Sequence, residues 1–174
     1  MNKIKWGILG YGQAAQKFYS SIKDTRTSEI FGIASKSKYN QLSKNKYTKV
    51  FSNYEDLINL KDLDIVYISL INSLHFENLD KCINAKKKIL VEKPSCSNYS
   101  ELRKVSDKII NHKIYFKECI LYLSHPIIEN IKKIIENNDI GNLRCINSNY
   151  GFNFNKKRFF FFKKKKIKNF FQKN

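Results

Sequence analysis

Two short stretches of this chain combine residue types that do chemistry. The first is Gly10-Tyr11-Gly12-Gln13-Ala14-Ala15, directly after the apolar run Ile4-Lys5-Trp6-Gly7-Ile8-Leu9. It opens a segment, Gln13 to about Ile22, whose spacing puts Ala14, Phe18 and Ile22 on one helical face. The pattern G-x-G-x-x-A between a strand and a helix is a form of the dinucleotide fingerprint. Gly10 permits the tight turn, Gly12 lets the backbone approach a pyrophosphate, and Ala15 keeps helix and strand close. The helix N-terminus adds free N–H groups and a positive dipole end. Tyr11, Gln13 and Ala14 complete the candidate cofactor-binding loop. The competing reading is that the glycines only shape a turn between strand and helix.

The second stretch is Ile89-Leu90-Val91, an apolar run that ends in Glu92-Lys93-Pro94. In an open parallel sheet, ligands sit outside the carboxyl ends of the strands. A lysine there, beside a carboxylate and near a cationic nicotinamide, can hold or remove the proton of a carbinol during hydride transfer. Lys93 is thus the candidate catalytic residue. Its rival is a solvated turn lysine in a Lys-rich chain.

After the second strand the fingerprint calls for an acid that binds the ribose 2′-OH of NAD. Here the chain reads Ala34-Ser35-Lys36-Ser37-Lys38, with no acid between Glu29 and Glu55. A hydroxyl and an ammonium, Ser35 and Lys36, suit a 2′-phosphate. That favours NADP and leaves NAD open.

The elements that must position these residues alternate. Strands are expected at 4–9, 30–34, 50–51, 64–70, 89–91 and 114–119. Helices fall between them, at 13–22, at 54–60 capped by Ser52 or Asn53, at 73–85, and at 97–111. In the last, Ser97 is the expected cap and Leu102, Val105, Ile109 and Ile110 face inward. Such alternation implies βαβ units and a parallel sheet with helices on both faces, an α/β Rossmann-type doubly wound fold. A helix over 126–138 and a strand over 143–150 then open an incomplete α+β second domain. The organisation expected is a dinucleotide-binding domain over 1–120, the beginning of a substrate or dimerisation domain over 121–152, and a basic Phe/Lys tail over 153–174.

The formal charge is +18. Residues 1–150 hold 24 Lys and Arg against 15 acids, while the last 24 residues hold nine and no acid. Half the excess is therefore tail, and the rest is spread over a Lys-, Asn- and Ile-rich body. That distribution argues against a nucleic-acid partner, which needs a basic face with stacking aromatics. No apolar run approaches the roughly 20 residues of a membrane span, and no signal-peptide pattern opens the chain. Cys82, Cys96, Cys119 and Cys145 are widely spaced without C-x-x-C, so reduced thiols in a cytoplasmic protein are expected rather than disulfides or a metal site.

Several segments now coincide: KWGILGYGQAAQKF, GIASKS, YEDLI before DIVYISLINSLHFENLDKCINAKKKILVEKPSC, and KECILYLSHPIIENIKKIIENNDIGNLRCINSNYGF. Together they resemble the Gfo/Idh/MocA family of NAD(P)-dependent oxidoreductases, over residues 3 to about 152. The resemblance implies hydride transfer between a nicotinamide and a sugar, polyol or sugar-nucleotide hydroxyl or carbonyl, so the expected partner is a small carbohydrate-like molecule. Lys93 matches the family's catalytic lysine and Glu92 the residue that orders the nicotinamide end. Pro94 matches the turn proline, cis in some members. Asn72 and His75 match the family's P-N-x-x-H and are expected to contact the cofactor, although Ile71 replaces the proline. His125-Pro126 matches a family H-P.

In that family the strand reached near Tyr150 begins a large sheet domain, and a later loop supplies an Asp with a His or Tyr. Here no Asp follows Asp139 and no His follows His125. The tail, NFNKKRFFFFKKKKIKNFFQKN, looks like what poly-T and poly-A tracts encode. It reads as a shifted or truncated frame, expected to be disordered, with an anionic-membrane anchor as the alternative. Two functions stay open: an oxidoreductase, or a truncated nucleotide-binding remnant with little or no turnover. The short second domain also argues against a homo-oligomer built on it.

Overall fold

The structure is a computed structural model that describes residues 3–44, 48–149 and 151. The expected character of the tail falls outside these residues. Two compact units are present, Met1–His125 and Pro126 onward.

The first unit is built on six strands: β1 (Ile4–Leu9), β2 (Ser28–Ala34), β3 (Lys49–Phe51), β4 (Ile65–Ile68), β5 (Lys88–Val91) and β6 (Phe116–Glu118). They form one sheet of order β3-β2-β1-β4-β5-β6, and every pairing is parallel. Five helices connect them: α1 (Gln13–Lys23), α2 (Tyr39–Leu42), α3 (Tyr54–Ile58), α4 (His75–Asn84) and α5 (Tyr99–His112). The order reverses between β1 and β4, which is where such sheets open a ligand crevice.

Burial explains the pattern. β4 is buried along its whole length, which requires cover on both faces. One core joins Leu57, Ile58, Val66, Ile68, Leu79, Ile83, Ile89, Val91 and Val105. A second joins Ile8, Ala15, Ile33 and Tyr67, with Trp6, Phe18 and Tyr19 packed on it. Each fully buried aliphatic side chain contributes roughly 1.5–3 kcal/mol.

Three local expectations change. On α1 it is Ala15, with Phe18 and Tyr19, that meets the sheet, while Ala14 is exposed. The cap of α5 is Asn98 rather than Ser97. The Asn98 side chain accepts from the Glu101 N–H at 3.0 Å, and Glu101 in return accepts from the Ser97 N–H. Ser97 and Asn98 are both capping types, and only backbone geometry chooses between them. On α5, Val105 is buried but Leu102 and Ile110 are 41% and 71% exposed, because the sheet meets a narrower stripe than the apolar residues span.

The second unit contains α6 (Pro126–Glu136). Residues 143–149 form no strand, contrary to expectation, and no described segment pairs with them.

The carboxyl edge of the sheet is held by hydrogen bonds that continue the ladder past the strand ends. The Gly10 N–H donates to Ala34 O at 2.8 Å, and the Ser69 N–H to Leu9 O at 2.9 Å. The Glu92 N–H donates to Ile68 O at 2.9 Å, and the Cys119 N–H to Val91 O at 2.8 Å. Four loops are thereby aligned along one rim. Gly10 adopts φ +85, and a Cβ there would lie 2.9 Å from Ser69 O. That backbone region favours glycine, and the close approach of Ser69 closes the position to any side chain.

Candidate functional site

Gly12 is the N-cap residue of α1, at φ −76 and ψ −170, and no side chain caps the helix. The first N–H groups of α1 are therefore open to an anion. A Cβ built on Gly12 would meet nothing within 4 Å. Its φ is ordinary for any residue. Neither backbone nor packing asks for glycine there, whereas a phosphate approaching the helix end does. Gly10 and Gly12 thus separate: the fold demands the first, while a side chain at the second would enter open space above the helix.

Tyr11 is half-buried between them, its ring edge-on to Tyr19 at 6.1 Å. Burial, then the neighbouring Tyr19, push its phenol above the ordinary value. Gln13 and Ala14 are exposed and line a cleft of about 560 Å³ beside α1. The cleft runs past Tyr67, Leu90 and Glu92 to Cys119. It adjoins the start of α1 at one end and the β5 terminus at the other.

At that terminus, the Tyr67 hydroxyl donates to Glu92 Oε1 at 2.5 Å. Burial first, then the bond and charge of Glu92, push the Tyr67 phenol far above its ordinary 10.0. Glu92 is thereby held in the cleft wall by a charge-assisted bond. Lys93 is exposed, and its ammonium makes no hydrogen bond or ion pair among the described residues. The Lys93–Pro94 peptide is cis.

Two of the sequence-assigned residues are buried and engaged with backbone. His75 is wholly buried; Nδ1 lies 2.8 Å from Pro94 O and Nε2 3.0 Å from Leu70 O. Both ring nitrogens face backbone carbonyls, and a neutral ring donates to one of them. Ser35 is 2% exposed, and its Oγ accepts from the Lys38 N–H at 3.3 Å. Ser35 shapes the turn; it does not present an open hydroxyl. Lys36 is exposed, its ammonium 5.1 Å from the Tyr54 ring, and Lys38 is half-buried, its ammonium 5.9 Å from the Tyr11 ring. Asn72 is exposed at the start of a 3₁₀ turn, Asn72–Leu74, after β4.

The sequence matches the family described as "Oxidoreductase family, NAD-binding Rossmann fold" over residues 4–116. The chain belongs to the Gfo/Idh/MocA family. Its Gfo/Idh/MocA relatives include bovine (Bos taurus) trans-1,2-dihydrobenzene-1,2-diol dehydrogenase, 24% identical over 86% of this chain and 46% of the relative. Another is dTDP-3,4-didehydro-2,6-dideoxy-alpha-D-glucose 3-reductase of Saccharopolyspora spinosa, 23% identical over 85% of this chain and 46% of the relative. A 3-ketoreductase from Actinomadura kijaniata, solved with TDP-benzene and NADP, superposes with a TM-score of 0.71 at 23% identity, over 82% of this chain and 45% of that one. The scyllo-inositol dehydrogenase of Lactobacillus casei, solved with NAD(H) and scyllo-inositol, gives 0.73 at 20% identity, over 80% and 43%. The chain spans about half the length of the curated relatives it matches.

Three residues of this Gfo/Idh/MocA domain stand near the candidate site without having been singled out as site residues in the sequence. Tyr67 and Lys38 are two of them. The third is Glu118, whose Oε1 accepts from the Ser95 N–H at 2.6 Å. The usable clue is parity and register. Tyr67 pairs with Leu90, and Glu118 with Val91, so both stand at the rim beside Glu92. No helix among the described residues is long and apolar enough to cross a membrane.

The thiols of the first unit are poor nucleophiles. Burial, then the charge of Glu92, push Cys119 up to about 11, and burial pushes Cys82 up to about 12. The thiolate is the reactive form. At pH 8, iodoacetamide should therefore label exposed Cys145 first and leave Cys82 and Cys119 unmodified in the folded protein, as read by peptide mass spectrometry. Labelling of Cys119 at the rate of Cys145 would mean that the cleft wall opens readily.

Proposed function

We propose that this domain binds NADP(H) along the carboxyl rim and takes part in hydride transfer to or from a small carbohydrate-like hydroxyl or carbonyl compound. The observation that carries it is the pairing, on one rim, of an uncapped helix N-terminus beneath an open Gly12 with a Lys93 ammonium, at the end of β5, that has no partner among the described residues. The substrate class is supported by relatives that are named for diol, sugar-nucleotide and inositol substrates.

The residues fit the dinucleotide. The α1 N-terminus and Gly12 would hold the pyrophosphate, Lys36 and Lys38 the ribose 2′-phosphate, and the cleft from Gln13 to Glu92 the nicotinamide half. A nicotinamide held there supplies the two-electron hydride chemistry. Lys93 works on the substrate oxygen: its ammonium donates a hydrogen bond to a carbonyl and supplies the proton that the product hydroxyl keeps. In the reverse direction it holds the departing proton. Glu92, pinned by Tyr67, keeps a negative charge beside that lysine and the nicotinamide ring. Tyr67 and Leu90 give the cleft an apolar floor that limits water.

Fluorescence titration of the 174-residue chain with NADPH and NADH, then a screen of sugars, inositols and dihydrodiols at the nicotinamide absorbance, tests this. Saturable NADPH binding and turnover lost in Lys93→Ala are expected. Binding with no turnover on any substrate would make the chain a nucleotide-binding module. No binding of either dinucleotide would end the reading.

A further inference from the structure

The loop that carries Lys93 is held through a single peptide group. Pro94 O and the Ser95 N–H belong to the same peptide plane. The oxygen faces His75 Nδ1 at 2.8 Å, from the start of α4. The N–H donates to Glu118 Oε1 at 2.6 Å, from the end of β6. Both partners come from neighbouring elements along the rim, on opposite sides of the loop. Ser95 is itself buried, so its N–H relies on this acceptor. A plane tethered at both ends cannot rotate without breaking both bonds. The clamp uses the tautomer in which the His75 Nδ1–H donates to Pro94 O; Nε2 lies 3.0 Å from Leu70 O, on the loop that follows β4, and a neutral imidazole donates to only one of the two carbonyls. Lys93, immediately before this plane, is the exposed side chain whose direction the plane dictates.

We propose that Glu118 and His75 are positioning residues that clamp the 94–95 peptide and thereby aim Lys93 and Glu92 at the nicotinamide end of the site. The proposal rests on the dinucleotide reading above and deepens it. His75 is wholly buried; Glu118 lines the cleft but spends its Oε1 on the Ser95 N–H. The clamp therefore affects only the part of the ligand that reaches the β5 terminus. The adenosine and phosphate portions, held at α1 and the β2 end, lie outside its reach.

The test compares two probes, NADPH and 2′-phospho-ADP-ribose, which lacks the nicotinamide ring. In the parent protein NADPH should bind tighter, and the ratio of the two dissociation constants reports the nicotinamide end. Glu118→Ala and His75→Gln should shrink that ratio by about ten- to hundredfold while 2′-phospho-ADP-ribose stays within about threefold. Glu118→Gln keeps an oxygen facing Ser95 and should recover most of the ratio for both NADPH and NADP⁺. If Glu118 acted directly by its charge on the cationic ring, Glu118→Gln would lose NADP⁺ selectively, and the clamp would be wrong. Equal weakening of both probes, or no change, would also overturn it. Should Glu118→Ala fail to fold, hydrogen exchange on the parent decides: the Ser95 amide must be protected like the sheet, and fast exchange refutes the clamp. A parent that binds neither probe would remove the dinucleotide reading, and the clamp with it.

Discussion

Gly12→Val should abolish measurable NADPH binding while the protein melts within about 2 °C of its parent. Backbone and space set this expectation. Gly12 has φ −76, which valine adopts without strain, and a Cβ there meets nothing within 4 Å. The substitution costs the fold little, because its γ-carbons point into the open space above the helix. That space is where a pyrophosphate must come within hydrogen-bond reach of the α1 N–H groups. Gly10→Ala provides the contrast. At φ +85, with Ser69 O 2.9 Å from the new carbon, it should lose about 1–3 kcal/mol of stability or more, and lose binding only as the fold loosens. Isothermal titration and thermal melting of both variants separate the roles. Unchanged NADPH affinity in a folded Gly12→Val protein would place the phosphate site elsewhere.

Reversing charge at both Lys36 and Lys38 should cost NADPH about 100-fold in affinity, roughly 2.7 kcal/mol, and leave NADH within about threefold. The two ammonium groups flank the end of β2, over Tyr54 and Tyr11 respectively. Along the sequence no acid lies between Glu29 and Glu55, and in space the Glu77 carboxylate feels the Lys36 charge. A 2′-phosphate placed between them exchanges two attractions for two repulsions in Lys36→Glu/Lys38→Glu, and NADH has no charge there to feel the change. The preference should also shrink with added salt in the parent, since the groups are near the surface, where screening acts within about 8–10 Å. Titrations with both dinucleotides at low and high salt read this. Equal losses for NADH and NADPH would mean that the lysines act on the pyrophosphate or on the fold, and the 2′-phosphate assignment would fall.

Much of this architecture was legible in the residues themselves. Apolar runs of strand length, separated by helical spacing, require helices on both faces of a parallel sheet, and all six expected strands of the first unit formed. The loop Gly10–Ala15 and the terminus Glu92–Pro94 were equally plain, since each breaks a local pattern at a strand end. Less legible were choices among equivalent residues. Asn98 and Ser97 are both good caps, and Ala14 and Ala15 differ by a helical rotation of about 100°. The outcome depends on which residue the sheet meets.

His75 marks the limit most clearly. As a sequence feature it is a polar residue three positions after Asn72, and its resemblance to a family motif suggests a ligand contact. Only the fold shows that β4 and β5 lie side by side, so that the carbonyls of Leu70 and Pro94, from two separate loops, face one buried imidazole. Glu118 is likewise one acid among 15 until register with Val91 brings it to the rim. Local order follows from periodicity and turn chemistry, which neighbouring residues settle among themselves. The grip on Lys93 comes from strands distant in sequence, because hydrogen-bond partners across a parallel sheet are chosen by strand order and register, and no local pattern encodes either.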